Sequence, residues 1–237
     1  METAKKSNLL IVIPAFNEEK NLPAVIVETR AVEPDATIVV VDDGSTDGTA
    51  EVARSHGARV LSLAVNLGYG AALQTGFLFA VREGFERVVI LDGDGQHDPG
   101  SIGRLLEVDG VDVVRGSRFL GTARYRIPLA RRIGMVLFGR VAGLFTGEPV
   151  TDVTSGFQAL NGRAVRFLAE NYPTDYPDAD TVILMKRAGL TQEEVPVAMR
   201  ERLSGAPMVS PTRSFYYVFK MCLSILVTLL REKPRID

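Results

Sequence analysis

Two carboxylates one residue apart, Asp92 and Asp94, follow the apolar run Val88–Leu91 and precede Gly95, Gln96, His97 and a further acid, Asp98. A short unbroken apolar run reads as a strand buried on both faces, the usual state in a parallel sheet. In open sheets of that kind ligands bind outside the carboxyl ends of the strands, so the two acids are expected where a substrate sits. A few hard oxygen donors suit Mg²⁺ or Mn²⁺ shared with a substrate's phosphates. The same residues also suit an ordinary polar turn, since Asp and Gly both tolerate left-handed backbone. A calcium loop of the EF-hand type is excluded, because Gly103 stands at the twelfth position, where a bidentate Glu is required.

The elements that must position these acids alternate along the first half of the chain. Leu9–Ile13, Thr37–Val41, Arg59–Leu63 and Val88–Leu91 read as strands. Between them, helices are expected over Asn21–Val32, with Asn21 as N-cap and Pro23 in the first turn, over Gly48–His56, capped by Asp47 or Thr46, and over Ala71–Arg82, stopped at Gly84. Strand alternating with helix predicts an α/β fold with a mostly parallel central sheet flanked by helices. Every strand then ends in a polar or glycine-rich loop on one rim. Farther on, a helix is expected over about Thr181–Ala188, and Val195, Val197 and Met199 mark a last strand over Glu194–Met199.

Composition narrows the class. The chain has 237 residues, 46% hydrophobic and 24% charged, which describes an ordinary globular protein. A net charge of −2 gives no general attraction for nucleic acid. The single cysteine, Cys222, cannot form an internal disulfide. The polar stretch Met1–Asn8 and the short run Leu9–Ile13, stopped at Pro14, do not make a secretory signal. Gly68-Tyr69-Gly70 opens a dinucleotide-binding pattern, but Leu73 stands where its last glycine belongs, and no Walker A sequence occurs.

Four motifs in order carry a resemblance: Ile13-Pro14-Ala15-Phe16-Asn17-Glu18, Val41-Asp42-Asp43-Gly44-Ser45-Thr46-Asp47, Asn66-Leu67-Gly68-Tyr69-Gly70-Ala71-Ala72 and Leu91-Asp92-Gly93-Asp94-Gly95-Gln96-His97-Asp98-Pro99. Together they resemble the family-2 glycosyltransferases of GT-A fold, in the dolichol-phosphate mannose synthase-like, polyprenyl-phosphate branch. The likeness continues through Gly116-Ser117-Arg118 and Thr151–Phe157, and so covers about Leu9 to Arg202. It implies that Pro14, Ala15 and Glu18 line a nucleoside pocket, that Asp42 and Asp43 recognise base and ribose, and that Gly70 lies on the donor side. It further implies that Asp92, Asp94 and Gln96 hold the divalent ion and the sugar-nucleotide diphosphate. Arg202 and Gly205 match a later Arg-x-x-Gly pattern of the family, which places Arg202 at the diphosphate; the family often carries Lys where Tyr69 stands. Inversion at the sugar carbon is implied as well.

The acceptor half adds its own signal. Val113–Gly147 contains seven arginines (Arg115, Arg118, Arg124, Arg126, Arg131, Arg132 and Arg140) and no acid, interleaved with apolar residues such as Phe119, Ile127, Leu129 and Phe138. Such a run is either a solvated basic face or a surface for anionic lipid. The guanidinium fork pairs with phosphate through two bonds. Arg118 with Arg131 or Arg132 is expected to grip the phosphate of a polyprenyl-phosphate acceptor, with Ser155 nearby. A phosphate dianion is already nucleophilic, so no strong general base is required. A hydroxyl acceptor on a sugar or protein would need one, and Asp152 and Asp180 are then the candidates.

The divisions expected are a catalytic domain over 1–203, a linker over 204–213 and an apolar helix over 214–237. Phe215–Leu230 is shorter than the ~20 residues that span a bilayer. Lys220, Ser224 and Thr228 give it one thin polar stripe, and Arg231, Lys233 and Arg235 follow. An interfacial helix or a dock for a small membrane protein is ranked slightly ahead of a core helix. The chain is expected at the cytoplasmic face of the membrane as a peripheral protein, alone or as a homo-oligomer. Two rivals stand: a soluble glycosyltransferase with a hydroxyl acceptor, and a nucleotide-sugar-binding subunit without turnover.

Overall fold

In the computed structural model the described residues are 8–120, 129–173, 177–200, 220 and 223–230, without the side chains of 129–135, 137 and 146. Strand β1, Leu9–Ala15, is buried along its whole length, and β2, Thr37–Asp42, nearly so. Their alternate residues feed two different cores. Leu10, Val12, Val39 and Val41 face one layer, while Ile11, Ile13, Ile38 and Val40 face the other. That is why the strands read as continuous apolar runs: both faces are covered.

Helices α1 (Leu22–Val32), α2 (Thr49–Ser55) and α4 (Ile102–Leu106, entered through a 3₁₀ turn at Pro99–Ser101) cover the second layer with Val25, Ile26, Ala53, Ile102 and Leu105. The first layer is covered by α3 (Tyr69–Glu83) and α6 (Gly162–Asn171) through Leu73, Phe77, Val165 and Leu168. Helix α3 approaches β1 closely, because a Cβ on Gly76 would come within 2.5 Å of a Val12 methyl. Gly84 ends α3 in the left-handed conformation at φ 75°, as the sequence suggests.

The remaining strands are β3 (Arg59–Ser62), β4 (Arg87–Ile90), β5 (Val113–Ser117), β6 (Gln158–Asn161) and β7 (Gln192–Pro196). The seven strands among the described residues form one sheet in the order β3-β2-β1-β4-β6-β5-β7. Pairing is parallel except for β6, which runs antiparallel between β4 and β5. The last strand stops at Pro196 rather than at Met199. Asn21 is a second correction: its side chain donates to Glu18 Oε2 instead of capping α1, and Glu18 O accepts from the first backbone amides.

A third core lies beside the sheet. Helix α5 (Leu129–Thr146) and helix α7 (Ala179–Arg187) join residues 223–230, also helical, through Phe138, Ala142, Val182, Ile183 and Ile225. Ser224 Oγ donates to Asp180 Oδ2, and Arg187 Nη1 donates to Leu229 O at 3.1 Å. One face of this C-terminal stretch is thus docked, while Leu223, Leu226, Val227 and Leu230 remain exposed. Among the described residues no helix is long and apolar enough to cross a membrane. The proposed linker 204–213 lies outside the described residues.

Candidate active site

The loops that leave the carboxyl ends of β1, β2, β3 and β4 surround a cleft of about 580 Å³. Its lining comprises Pro14 to Asn21, Asp43, Asp47, Asn66, Gly68, Tyr69, Ala72, Asp92, Gly93 and Asp94. Four parallel strands ending on one rim bring residues nearly eighty positions apart into one hollow, as the topology requires.

The walls are tied together by local bonds. Asn17 adopts φ 56°, unusual for a residue other than glycine. Its Oδ1 accepts from Thr46 N at 2.9 Å, and its own N–H donates to Ser45 Oγ at 2.9 Å. Glu18 N donates to Thr49 Oγ1 at 2.8 Å, and Glu19 Oε2 accepts from Gly48 N at 2.9 Å. Across the cleft Asp43 clasps the following loop: Oδ1 accepts from Leu67 N at 2.7 Å and Oδ2 from Gly68 N at 2.9 Å.

Asp92 is held at both its carboxylate and its backbone. Its Oδ1 accepts from the Tyr69 hydroxyl at 3.0 Å, and its backbone N–H donates to His97 Nδ1 at 3.1 Å. That bond assigns the other ring nitrogen, Nε2, as the protonated one. Nε2 lies 3.6 Å from Asp92 Oδ2, and the His97 ring stacks on Phe157 at 5.0 Å. Burial pushes the Asp92 carboxyl above the usual carboxylate range; His97 opposes that and the Asp94 charge adds to it. Burial, then the Asp92 charge, raise the Tyr69 phenol well above its ordinary value, so it stays a donor. Asp94, itself buried, accepts from Gln96 N at 2.9 Å. Gly156 closes over the pair: a Cβ there would lie 3.2 and 3.4 Å from the Asp92 oxygens and overlap the Tyr69 hydroxyl.

Asp92 and Asp94 give two hard oxygen donors, and among the described residues no group of three or more His, Cys, Asp or Glu could hold a metal. That donor set fits a cation that keeps other positions for water and substrate phosphate, the habit of Mg²⁺ and of Mn²⁺ in oxygen sites.

Of the residues expected at the donor, the cleft gathers Pro14, Ala15, Glu18, Asp43, Asp92 and Asp94. Asp42 is buried beside it, with Oδ1 accepting from Ser45 N at 3.1 Å; it shapes the β2 turn rather than lining the cleft. Gly70 is buried in the first turn of α3, and Gln96 is held by its main chain, with Arg200 N donating to its carbonyl at 2.8 Å. Arg202 lies outside the described residues.

The acceptor expectation needs correction at Arg118. Its Nε donates to Asp152 Oδ2 at 2.6 Å and its Nη2 to Asp152 Oδ1 at 2.7 Å, with Thr154 Oγ1 also within reach. Both partners are buried, so this arginine anchors the Thr151–Phe157 loop instead of presenting its fork to a ligand. Asp152 is occupied in turn, and Asp180 is buried beneath Ser224, accepting from its own backbone neighbours. Among the described residues neither carboxylate is part of the cleft lining. Ser155 is buried, and its Oγ has no hydrogen-bond partner among the described residues. Arg131 and Arg132 lie in the first turn of α5, their side chains outside the described set.

Sequence reading missed Tyr69, His97 and Gly156 as parts of the site. His97 stood inside the acidic motif itself, but nothing in the sequence says that its ring is buried against Phe157.

The comparisons agree with this geometry. The family described as Glycosyl transferase family 2 matches residues 10–164. The chain is 31% identical to the polyprenol monophosphomannose synthase of Mycolicibacterium smegmatis, over 90% of this chain and 84% of that one. It is 30% identical to the dolichyl-phosphate hexose transferase of Haloferax volcanii, over 97% of each. Among solved structures, the glucosyl-3-phosphoglycerate synthase of Mycobacterium tuberculosis, in complex with Mn²⁺, UDP and glucosyl-3-phosphoglycerate, superposes with a TM-score of 0.63 at 25% identity, covering 97% of this chain and 81% of that one. With the β6 reversal inside an otherwise parallel sheet and two acids at the tip of β4, these matches establish that the chain belongs to glycosyltransferase family 2 and carries the GT-A fold.

Proposed function

We propose that the protein transfers a hexose from a nucleotide-diphosphate sugar to the phosphate of a polyprenyl phosphate at the cytoplasmic face of a membrane. The observation that carries this reading is the pair Asp92 and Asp94 in the floor of a cleft walled by Pro14–Asn21 and Asp43. Relatives of nearly the same length that are named for polyprenol and dolichyl phosphate support the acceptor class.

In this reading an acceptor phosphate oxygen forms the new bond to the anomeric carbon while the bond to the nucleoside diphosphate oxygen breaks. The electron pair leaves with the nucleotide, and the sugar carbon is inverted. Asp92 and Asp94 would hold a divalent ion, which supplies electrostatic stabilisation to the leaving diphosphate. Pro14, Ala15 and Glu18 bound the nucleoside, and Asp43 fixes the loop that closes its other side. A phosphate nucleophile needs no proton removed, which matches a cleft that neither Asp152 nor Asp180 enters. Arg131 and Arg132 are the proposed phosphate grips. Arg118 acts through the loop it holds.

Contact with the membrane is assigned to the exposed side chains of 223–230, together with Leu144 and Phe145 at the end of α5. Apolar groups beside basic ones favour an anionic surface, each basic residue contributing about 1 kcal/mol near it. The basic neighbours are the exposed Arg140 and, in sequence, Arg231, Lys233 and Arg235.

The test is an acceptor panel. Labelled UDP-, GDP- and dTDP-sugars are offered with undecaprenyl phosphate, dolichyl phosphate, phosphoglyceric acid and a simple alkyl glycoside. Label in the organic phase with a polyprenyl phosphate is expected; turnover confined to the water-soluble acceptors would favour the hydroxyl-acceptor rival.

A further inference from the structure

Asp92 can serve the donor only if its carboxylate keeps one orientation, and the residues that set it are not cation ligands themselves. An exposed aspartate samples its χ angles freely, and a ligand held loosely loses affinity and alignment. Three elements remove that freedom here. The amide of Asp92 is fixed on His97 Nδ1, and His97 is fixed by stacking on Phe157. Gly156 bounds one side, where even an added Cβ would lie 3.2 and 3.4 Å from the two carboxylate oxygens. The Tyr69 hydroxyl takes Oδ1 at 3.0 Å.

We propose that Tyr69 is a positioning residue, whose hydroxyl locks the Asp92 carboxylate in the orientation that receives the divalent ion, with His97 holding the backbone of the same residue. This rests on the transferase reading of the cleft and deepens it. Tyr69 is placed for the task by its own element: it is the first residue of α3, following Gly68 at φ 94°, and its ring packs on the first core. The hydroxyl therefore arrives on a rigid frame rather than on a loop. A tyrosine hydroxyl is by its ordinary chemistry a hydrogen-bond donor through the neutral range. A hydrogen bond to one oxygen also leaves the other oxygen and the remaining lone pair for the ion.

The arrangement predicts a division of labour that packing alone does not. Removing the hydroxyl while keeping the ring should leave the fold intact and loosen the ion. Partners of metal ligands typically contribute about 10- to 100-fold in affinity.

The experiment is Mn²⁺ titration followed by electron paramagnetic resonance on the full chain, alone and with UDP or GDP, comparing wild type, Tyr69→Phe and Asp92→Asn. The expected result is about tenfold or greater weakening of Mn²⁺ binding in Tyr69→Phe, at an unchanged melting temperature, with the bound-ion spectrum broadened relative to wild type. Turnover should fall through kcat more than through the donor KM. Wild-type Mn²⁺ affinity and spectrum in a folded Tyr69→Phe, with binding lost in Asp92→Asn, would overturn the positioning role and leave the transferase reading intact. Absence of Mn²⁺ binding by the wild type in every condition would overturn both. If Tyr69→Phe melts early, Tyr69→Leu decides: equal Mn²⁺ affinity in the two variants, weaker than wild type, supports the hydroxyl's role. Loss in Leu with retention in Phe contradicts it.

Discussion

Arg118 and Asp152 face each other in a two-point pair, Nε to Oδ2 at 2.6 Å and Nη2 to Oδ1 at 2.7 Å, with both side chains buried. The pair joins the end of β5 to the loop that carries Gly156 to the Asp92 carboxylate. Glu194 on β7 extends it, accepting from Thr151 N at 2.8 Å and Asp152 N at 2.9 Å. The loop beside the metal-ligand candidates is thus fixed from the sheet side by charge.

Breaking that pair from either side leaves an uncompensated buried charge, which typically costs about 3–5 kcal/mol. Arg118→Met and Asp152→Leu should each destabilise the fold by about that amount in urea denaturation, while the double variant recovers most of the loss. If the account of Arg118 as an anchor is right, the double variant binds donor with near wild-type affinity. An Arg118 that gripped the acceptor would instead raise the acceptor KM even in the refolded double variant.

Acid sensitivity should trace to Asp112. Its burial opposes the charge, but donors from Thr191, Asn161 and Arg163 outweigh that and hold its pKa below the ordinary carboxylate value. Its Oδ2 accepts from Arg163 Nη1 and Thr191 N, each at 2.8 Å, and its Oδ1 from Asn161 Nδ2 at 2.9 Å. The folded pKa lies under the unfolded value of about 3.9, so the stabilisation is complete above that value and disappears as pH falls through the folded one. Asp112→Asn should therefore cost about 1–3 kcal/mol at pH 7, and the gap to wild type should close in strong acid. Denaturation midpoints measured from pH 7 down to pH 2 check the sign; a gap that widens in acid would contradict it.

Gly156→Ala tests the fit of loop to acid. The added methyl would overlap the Tyr69 hydroxyl and crowd both Asp92 oxygens. Displacements on the scale of an ångström near reacting groups cost about 100-fold, so a drop of about 10- to 100-fold in kcat/KM is expected in a folded variant, beside a stability loss of about 1–3 kcal/mol from the overlap. Kinetics beside a melting curve separate this from simple unfolding.

Much of this was legible beforehand because the chemistry sits at strand ends. The runs Leu9–Ile13, Thr37–Val41 and Val88–Leu91 are apolar on both faces, so burial, and with it the parallel sheet, could be read directly from residue type. Asp92 and Asp94 follow from their place behind such a run. What stayed hidden depends on long-range partners. Gln158–Asn161 has only two apolar residues between polar ends, so neither the strand β6 nor its reversed direction has a local signal. Arg118 looked available because a sequence shows its charge, whereas the Asp152 that occupies it lies 34 positions away. Asp180 is the same case, its carboxylate met by Ser224 from the far end of the chain. Tyr69 read as a departure from the family's lysine, and only the fold brings its hydroxyl to Asp92.

The measurement closest to the central claim is transfer of label from the active sugar nucleotide into undecaprenyl or dolichyl phosphate, run with excess EDTA, with EDTA followed by Mn²⁺ or Mg²⁺, and with Asp94→Ala. Organic-phase label is expected from the wild type, lost on chelation, restored by the divalent ion, and reduced in Asp94→Ala by at least about 100-fold, the scale of one removed electrostatic contributor. Undiminished lipid-linked product in EDTA or in a folded Asp94→Ala would contradict the claim that these two acids carry the transfer.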